Sequence, residues 1–409
     1  MKRVCSYINA QCSQIEGSSA LRWYGAGLSL ALGLCTYYWL FSRGLHVLLN
    51  GKAACWPFFE NCHEYRIFGP GFLESALWVL LVASVVNACL FIRKSTVGFG
   101  YIGLGVLFLV SVTLYLQDFR LRLNQNYMLY FIVTAFLFAH SKRFTIKLLL
   151  IGFYFWAGII KLNMEWLSGS GIYKLDELWI PEALHRASFA YVVILETILV
   201  FGLLSKRTWI FYCTLAQLYL FHLFSFPIVN YYYPTLMFIL ISIFWIERLT
   251  EEESDDRPSF THRLSSLRTI PIIFVIFAVG QLIPKLMPGE SNITGEGRFF
   301  SLHMFDSRVE CKSHVIYHFD NGESVAGFSF PMLGRSRIRC DPIIYLSMAN
   351  DRCRDLEFAT GPQTPVDFDF ILQSKDSQST EYQFVVDIKD YCAQGITYTV
   401  FWPNDWILK

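Results

Sequence analysis

The amino-acid sequence predicts an α-helical polytopic membrane protein with a small β-rich domain outside the cytoplasm at its C-terminal end. Of the 409 residues, 54% are hydrophobic and 17% aromatic, and only 16% are charged, whereas a soluble domain carries about 25% charged residues. Long uncharged stretches recur through residues 1–287 and are absent from residues 288–409. The 34 basic and 33 acidic residues balance. Without a basic stripe, no nucleic-acid partner is expected.

About nine membrane-spanning helices are predicted in residues 1–287. A bilayer core of about 30 Å requires roughly 20 apolar residues per helix, and only helices satisfy every backbone group in lipid. Charged residues delimit most of the apolar runs. The first six runs are Arg22–Arg43, Glu74–Arg93, Lys94–Asp118, Arg122–Lys142, Thr145 to beyond Lys161, and Arg186–Lys206. The uncharged stretch between Arg207 and Glu247 is too long for one helix, and Pro227, Asn230 and Pro234 divide it into the seventh and eighth spans. The ninth run is Arg268–Lys285.

The distribution of basic residues predicts that the N-terminus is cytoplasmic. Cytoplasmic ends of membrane helices carry an excess of Lys and Arg. With the N-terminus inside, fourteen basic residues flank the spans on the cytoplasmic side and seven lie in the outer loops. Nine spans then place the C-terminal domain in the periplasm, the extracellular space or a lumen. The lipid bilayer is the first expected partner.

The C-terminal domain is expected to consist of strands held together by disulfides. Alternating runs such as HVIYHF, IIYLSMA, YQFVVDI and TYTVFW, separated by Gly, Asp, Pro and Asn, are typical of short strands and turns. The six cysteines on the predicted outer side are Cys55, Cys62, Cys311, Cys340, Cys353 and Cys392. Disulfides persist in oxidising compartments. The short loop favours Cys55–Cys62, and the other four cysteines allow three pairings.

Three ionisable residues fall inside predicted spans, where charge is costly and often functional. Lys161 lies among Phe, Trp, Ile and Leu in FYFWAGIIKLNMEW, and a desolvated lysine amine can act as a base. Alternatively, Lys161 extends to the outer interface or pairs with Glu165. Glu196 would relay protons, pair with Lys161 or simply be satisfied by a neighbouring helix. His222 would serve as an acid, a base or a quinone contact, or as a packing hydrogen-bond partner.

Further polar residues lie nearer the predicted outer surface. Asn124 and Asn126 are at the outer mouth of the fourth span, where they would contact a substrate or form a solvated helix end. Residues 167–186, which include Trp179, are predicted to form a short interfacial helix. His303, His314 and His318 lie close in sequence, but no cysteine spacing completes a metal site. No metal is therefore expected.

The segment around Lys161 also resembles a known family. Its pattern Tyr-Phe-x-Ala-Gly-x-x-Lys-Leu-x-x-x-Trp is similar to the membrane domain of vitamin K-dependent gamma-glutamyl carboxylases, the HTTM family. The stretches NQNYMLY, FHLFSFPIVNYYYPTLMF and FFSLHMFDSR resemble other family segments, so that the resemblance covers roughly residues 20–310. The positions that fit the central pattern are Tyr154, Phe155, Ala157, Gly158, Lys161, Leu162 and Trp166.

The resemblance implies nine spans and a mechanism. In carboxylases the lysine that matches Lys161 deprotonates vitamin K hydroquinone, oxygen adds, and the resulting strong base takes a proton from glutamate so that carbon dioxide can be captured. His222 matches the family's later histidine, which implies a role in orienting the quinone. A reduced quinone, vitamin K hydroquinone or menaquinol, is the cofactor that the resemblance implies.

The chain departs from the family pattern at several positions. Ile160 replaces a second lysine, Asn163 an aspartate and Asn126 a histidine, and the outer domain is several-fold shorter. These departures bear on protein carboxylation more than on quinone binding. Two functions are therefore expected: a quinol-dependent epoxidase or carboxylase-like enzyme, or a non-catalytic binding or maturation factor for a secreted or membrane protein or peptide. A transporter ranks last because no inverted repeat is visible.

Overall fold

A computed structural model describes residues 2–42, 54–59, 70–172, 174–250, 270–302, 309–327, 330, 340–359, 361 and 364–409. Cys62 and His303 lie outside these residues. The described residues of the N-terminal part are helical, apart from short turns and connections. Its helices are α1 (Lys2–Glu16), α2 (Ser19–Phe41), α3 (Pro70–Ile92), α4 (Val97–Tyr115), α5 (Asn124–Phe138), α6 (Lys142–Ile160), α7 (Met164–Ser168), α8 (His185–Thr197), α9 (Thr208–Val229), α10 (Tyr232–Thr250) and α11 (Ile270–Leu286).

Six helices among the described residues are long and apolar enough to cross a membrane, which makes this a multi-pass membrane protein. They are Phe72–Ile92, Lys94–Tyr115, Lys142–Ile160, Glu182–Leu204, Thr208–Val229 and Tyr232–Thr250. The other three predicted spans are helical but fall short of this standard. The α2 helix has 23 residues, but many are Gly, Ser, Thr, Tyr or Trp. The α5 and α11 helices have only 15 and 17 residues.

The predicted break between the seventh and eighth spans is confirmed. The α9 helix ends at Val229, and Asn230 follows with a φ of 68° and a ψ of 168°, which lies outside the helical region and ends the helix. Pro227 is accommodated in the last turn of α9 and Pro234 in the first turn of α10. The two proline residues therefore flank the break, and Asn230 makes it.

Charged residues connect two helix ends on the side predicted to be cytoplasmic. Lys147, in the first turns of α6, pairs with Glu247 near the end of α10 at 2.6 Å, and Arg143 lies 3.7 Å from the same carboxylate. Buried Lys142 donates hydrogen bonds to the carbonyl groups of Phe136 and Leu137 at the end of α5. A cation at this position satisfies carbonyls that have no partner within the helix.

The C-terminal region contacts the opposite end of the helices, where the outer loops were predicted. The backbone N–H of Cys55 in the first outer loop donates to Ser347 Oγ at 3.1 Å. Tyr127, one turn into α5, donates its hydroxyl to the carbonyl of Phe300 at 2.7 Å. These contacts agree with the predicted sidedness of the loops relative to the C-terminal domain. The cytoplasmic position of the N-terminus stays a prediction.

The C-terminal region is an antiparallel sheet packed with a helix, so its description as β-rich is only partly right. The strands β1 (Glu310–His318), β2 (Ser324–Ala326), β3 (Asp367–Lys375) and β4 (Gln383–Ile388) are ordered β2-β1-β3-β4. The HVIYHF and YQFVVDI runs fall largely in β1 and β4, as predicted. Short helical segments at Ser291–Thr294 (α12) and Tyr391–Gln394 (α14) accompany the sheet.

Two runs that were predicted as strands are not strands. IIYLSMA lies in helix α13 (Pro342–Phe358). Asp341 accepts a hydrogen bond from the backbone N–H of Ile343, and Pro342 occupies the first turn, which is a helix-start signal that outweighs the apolar run. TYTVFW forms a turn-rich segment instead, around the buried side chain of Asn404.

The cysteines of the C-terminal region form two disulfides. Cys311 pairs with Cys340 and Cys353 with Cys392, which selects one of the three predicted pairings. Cys55 is also disulfide-bonded, while its predicted partner Cys62 lies outside the described residues. These bonds are consistent with an oxidising compartment.

The segment after α6 differs from its prediction. Residues 167–186 do not form one interfacial helix: two 3₁₀ turns, Leu175–Glu177 and Glu182–Leu184, are separated by an extended stretch. Pro181 contributes to this break because it fixes its own φ and disfavours helix at the preceding residue. Trp179 is nevertheless exposed, as expected of an interfacial residue.

Candidate functional site

Lys161 caps the C-terminal end of α6. The helix begins at Lys142 and ends at Ile160, so Lys161 lies about 28 Å along the axis from its start. The backbone N–H of Lys161 still bonds to the carbonyl of Ala157 at 3.2 Å. Its side chain turns inward, because only 3% of the residue is exposed. Extension of Lys161 to the lipid headgroups is therefore excluded.

Lys161 forms a buried ion pair with Glu196. Its Nζ lies 2.6 Å from Oε1 and 2.5 Å from Oε2 of a carboxylate that is fully buried. Glu196 comes from the last turn of α8, which packs closely on α6 at Gly158: a Cβ on that glycine would lie 3.0 Å from the Cβ of Glu196. The small residue thus lets the two helices approach closely enough for the pair. Of the partners considered from sequence, Glu196 is the one that the structure places on Lys161.

Two aromatic rings flank the ammonium group. The Nζ atom of Lys161 is 5.0 Å from the ring centroid of Trp166 and 5.5 Å from that of Phe221, within the range of cation–π attraction. The Trp166 indole is held in place because its Nε1–H donates to the carbonyl of Phe189 at 3.0 Å. Asn163 caps α7 by accepting the backbone N–H of Trp166 at 2.8 Å. The lysine therefore lies in a shaped, mostly apolar surrounding.

His222 lies beside this ion pair and is fully buried on α9. Its Nε2 is 2.5 Å from the hydroxyl of Tyr154, which comes from α6, and the ring packs edge-on against Tyr233 at 5.3 Å between centroids. Its other ring nitrogen, Nδ1, has no hydrogen-bond partner among the residues that the structure describes. Buried polar atoms are nearly always paired, so Nδ1 is an exception within the described part of the chain and can donate or accept one further hydrogen bond. Lys161 is close enough to interact electrostatically with the ring.

Of the two predicted asparagines, Asn126 belongs to a different hydrogen-bond network. Buried Asn126 accepts from the Tyr232 hydroxyl at 2.5 Å and from the Cys35 thiol at 3.3 Å, and its Nδ2 donates to the carbonyl of Leu121. Asn124 begins α5 and is half-buried. The described contacts of Asn126 are thus structural. The two networks meet at the start of α10, where Tyr232 faces Asn126 and its neighbour Tyr233 packs on His222.

Sequence reasoning left out Tyr154 and Tyr233 as members of the site. The signal for Tyr154 was its place in the family pattern, seven residues before Lys161, which puts both on one face of α6. For Tyr233 the signal was weaker, since YYYP resembles an interfacial aromatic cluster. Both rings are buried against His222 rather than exposed at an interface.

The C-terminal domain contacts the segment that follows Lys161. Ser377, in the turn between β3 and β4, donates its hydroxyl to Glu165 Oε1 at 2.9 Å, and its Oγ is 3.2 Å from that of Ser170. Glu165 and Trp166 are neighbours in α7, so this hairpin lies directly over the helix that supplies a ring to the lysine. Glu165 itself is buried.

A second polar cluster lies at the far end of the sheet. Ligand atoms of His318, Asp369 and Asp390 lie within 4.8 Å of one another, a grouping that sequence spacing did not predict. Asp369 is already paired, with His318 Nε2 at 2.8 Å and Lys389 Nζ at 3.0 Å. Burial alone would raise the pKa of Asp369. The hydrogen bonds that its carboxylate accepts from His318, Lys389 and the backbone N–H of Asp390 outweigh this effect and lower the pKa. Because the Asp369 carboxylate is already hydrogen-bonded to His318 and Lys389, this cluster favours a structural role over a metal site.

No protein-family model, curated protein or solved structure matches the chain. The resemblance to the HTTM family therefore stays a prediction that its quoted residues carry.

Proposed function

We propose that the chain binds a reduced quinone beside Lys161 and His222, and that Lys161 serves as the base of a quinol-dependent epoxidase or carboxylase-like reaction. The observation that carries this proposal is the buried Lys161–Glu196 pair near His222, whose Nδ1 has no hydrogen-bond partner among the described residues. Paired ionisable groups inside a membrane are costly and usually functional. A purely packing role would require neither the free nitrogen nor the two aromatic faces.

The residues present suit a flat ring that carries hydroxyl groups. The Nδ1 atom of His222 would hydrogen-bond one hydroxyl, because Nε2 is already engaged by Tyr154. The rings of Trp166 and Phe221 offer apolar faces on which an aromatic ligand would stack. Lys161 Nζ lies near both rings, so that a second hydroxyl would face the amine.

Glu196 explains how a paired lysine would act as a base. When the proton of the pair resides on the Glu196 carboxylate, the Lys161 amine has a free electron pair. Nζ would then accept a proton from a hydroxyl: the O–H bond breaks, an N–H bond forms and the electrons of the O–H bond remain on oxygen. A reduced quinone supplies the weakly acidic hydroxyl and the electrons for oxygen chemistry. The quinolate formed in this step is then the counter-charge of the Lys161 ammonium group, while Glu196 keeps its proton.

Turnover with reduced menaquinone and oxygen tests the proposal. Purified wild type in lipid should produce the quinone epoxide, Glu196→Gln should be severely slowed, and Lys161→Met/Glu196→Leu should be inactive although folded. Lys206→Met is the matched control because Lys206 is exposed at the opposite end of the bundle; it should retain full activity. Failure of the wild type to form epoxide would remove the enzymatic function, whereas epoxide formation by the double variant would remove Lys161 as the base.

A second candidate function is a non-catalytic binding or maturation factor for a secreted or membrane partner. It is favoured by the completeness of the ion pair, in which Glu196 satisfies the lysine without a ligand. In that case the wild type would form no epoxide. Replacement of the C-terminal domain by an unrelated domain would then abolish the ability of the chain to complement a deletion strain. The Lys161→Met/Glu196→Leu variant would still complement that strain.

A further inference from the structure

The C-terminal domain presents two large aromatic side chains to its surroundings. Phe401 is 63% and Trp402 74% exposed, and they are consecutive. We name residues 399–404, which form this turn, the aromatic tip. Isolated apolar residues are common on protein surfaces, so their exposure alone does not identify a partner. Their rigidity and their level relative to the membrane helices do.

The backbone of the aromatic tip is held rigidly from within. The side chain of Asn404, which is only 3% exposed, accepts from the backbone N–H of Thr399 at 2.7 Å and donates to its carbonyl at 3.1 Å. Asn404 also donates to the buried carboxylate of Glu296 at 3.0 Å. The Thr399 hydroxyl donates to the carbonyl of Trp402 at 3.1 Å. A turn fixed in this way presents its aromatic side chains at little further cost in conformational entropy.

The aromatic tip lies at the level of the membrane helices. The Phe401 ring stacks on Phe300, with centroids 5.0 Å apart. The carbonyl of Phe300 is so close to Gly280 of α11 that a Cβ there would lie 2.5 Å from it. Gly280 is about 9 Å below the end of α11 at Leu286, at about 1.5 Å per residue. Tyr127 of α5, which donates to the same carbonyl, gives an independent estimate of about 4–5 Å below the end of that helix.

This level corresponds to the interfacial region of a bilayer. Trp is enriched at membrane interfaces because its ring is amphipathic, and interfacial segments bury their apolar face about 5–10 Å into the headgroup boundary. The neighbouring surface of α11 is a stripe of exposed apolar side chains, among them Val275, Val279 and Leu282. The outward side chains of α11 near the level of Gly280 are thus apolar, as expected of a surface that faces lipid.

We infer that the aromatic tip inserts into the interface of the leaflet nearest the C-terminal domain. The domain would then be fixed to the bilayer by its own Phe401 and Trp402, in addition to its covalent connection to α11. This attachment would hold the β3–β4 turn over α7, where Ser377 contacts Glu165. The inference does not depend on the proposed enzymatic function.

Fluorescence quenching in nanodiscs tests the inference with the full-length protein. The emission of Trp402 is taken as the difference between wild type and Trp402→Phe. The quenchers are acrylamide in water and a phosphatidylcholine that carries a nitroxide near the headgroup end of its acyl chain. The control is Asp320→Trp in the Trp402→Phe background, because Asp320 is exposed in the β1–β2 turn, at the opposite end of β1 from the β3–β4 hairpin that contacts Glu165.

The nitroxide lipid should reduce the emission of Trp402 by about two-fold or more, as expected for an interfacial ring, while acrylamide should have little effect. The tryptophan at position 320 should show the reverse. Quenching of Trp402 by acrylamide alone would overturn the inference, because the ring would then be in water. Protection of Trp402 from both quenchers would also overturn it, since it would indicate a protein partner or a second copy of the chain.

Discussion

Removal of one partner of the Lys161–Glu196 pair should destabilise the membrane domain far more than removal of both. Glu196→Gln keeps the shape of the side chain but leaves the ammonium group of Lys161 without its counter-charge. The double variant Lys161→Met/Glu196→Leu replaces the pair by apolar side chains of similar size. The comparison isolates the coupling between the two charges.

The size of the effect follows from distance and burial. With an effective dielectric constant of about 20, two unit charges 2.5 Å apart attract by roughly 7 kcal/mol. Desolvation offsets part of this attraction, and breaking a buried pair typically costs about 3–5 kcal/mol. We expect that range for Glu196→Gln, because both residues are nearly inaccessible. Replacement of buried pairs by apolar residues is often neutral or stabilising, so the double variant should be close to wild type.

Equilibrium unfolding in mixed detergent micelles provides the assay, and Lys161→Met, Glu196→Leu, the double variant Lys161→Met/Glu196→Leu and wild type form the double-mutant cycle. The account predicts a coupling energy of about 3 kcal/mol or more, since contacting charges are strongly non-additive. Additivity within about 0.5 kcal/mol, the usual agreement for independent sites, would refute the ion pair as described.

Three further predictions concern other parts of the fold. Lys142→Met should destabilise the helix bundle by about 1.5–3 kcal/mol in the same unfolding assay, whereas Lys206→Met should change it little. Cys353→Ser should lower the stability of the C-terminal domain by about 4 kcal/mol, because the bond to Cys392 closes a long loop, and thermal unfolding monitored by near-UV circular dichroism would detect the loss. Because the pKa of Asp369 is lowered in the folded state, its ionised carboxylate stabilises the fold above the unfolded pKa, and this stabilisation is lost as the pH falls below about 4. Asp369→Asn should therefore flatten the acid limb of a plot of melting temperature against pH. An unchanged acid limb would contradict the lowered pKa of Asp369.

The sequence predicted the membrane helices best where charge and proline mark their ends. The gap between Arg207 and Glu247 contained a turn because no single helix of that length fits a bilayer, and Asn230 provides it. Helix α2 was predicted as the first span, but it is less apolar than the six helices that are long and apolar enough to cross a membrane. It packs among other helices, so its lipid exposure is low and small or polar residues such as Ser29 and Thr36 are tolerated inside it.

The C-terminal domain was less predictable because an apolar run has no intrinsic periodicity. IIYLSMA suits a buried strand or a buried helix equally, and only the Asp341–Pro342 start distinguishes them. The disulfide pairing was likewise undetermined, since it depends on strands and helices that meet only in the folded domain. Local signals of capping decide such segments more reliably than composition.

The candidate site was predictable in its ionisable residues but not in its boundaries. Lys161, Glu196 and His222 were identified because charge inside a membrane is costly, and the structure brings them together. Asn126 was grouped with them on its position at a helix end, yet its bonds to Cys35 and Tyr232 assign it to another network. Which polar residues share a site depends on helix rotation, which spacing alone does not determine.

Chemical rescue tests most directly whether Lys161 is a base. Lys161→Ala leaves a space that a small primary amine can occupy, beside an unchanged Glu196. The account predicts that this variant loses epoxide formation from reduced menaquinone and regains part of it with added ethylamine, at a rate that increases as the pH approaches the pKa of the amine. A Lys161→Ala variant that forms epoxide at the wild-type rate without added amine would contradict the account.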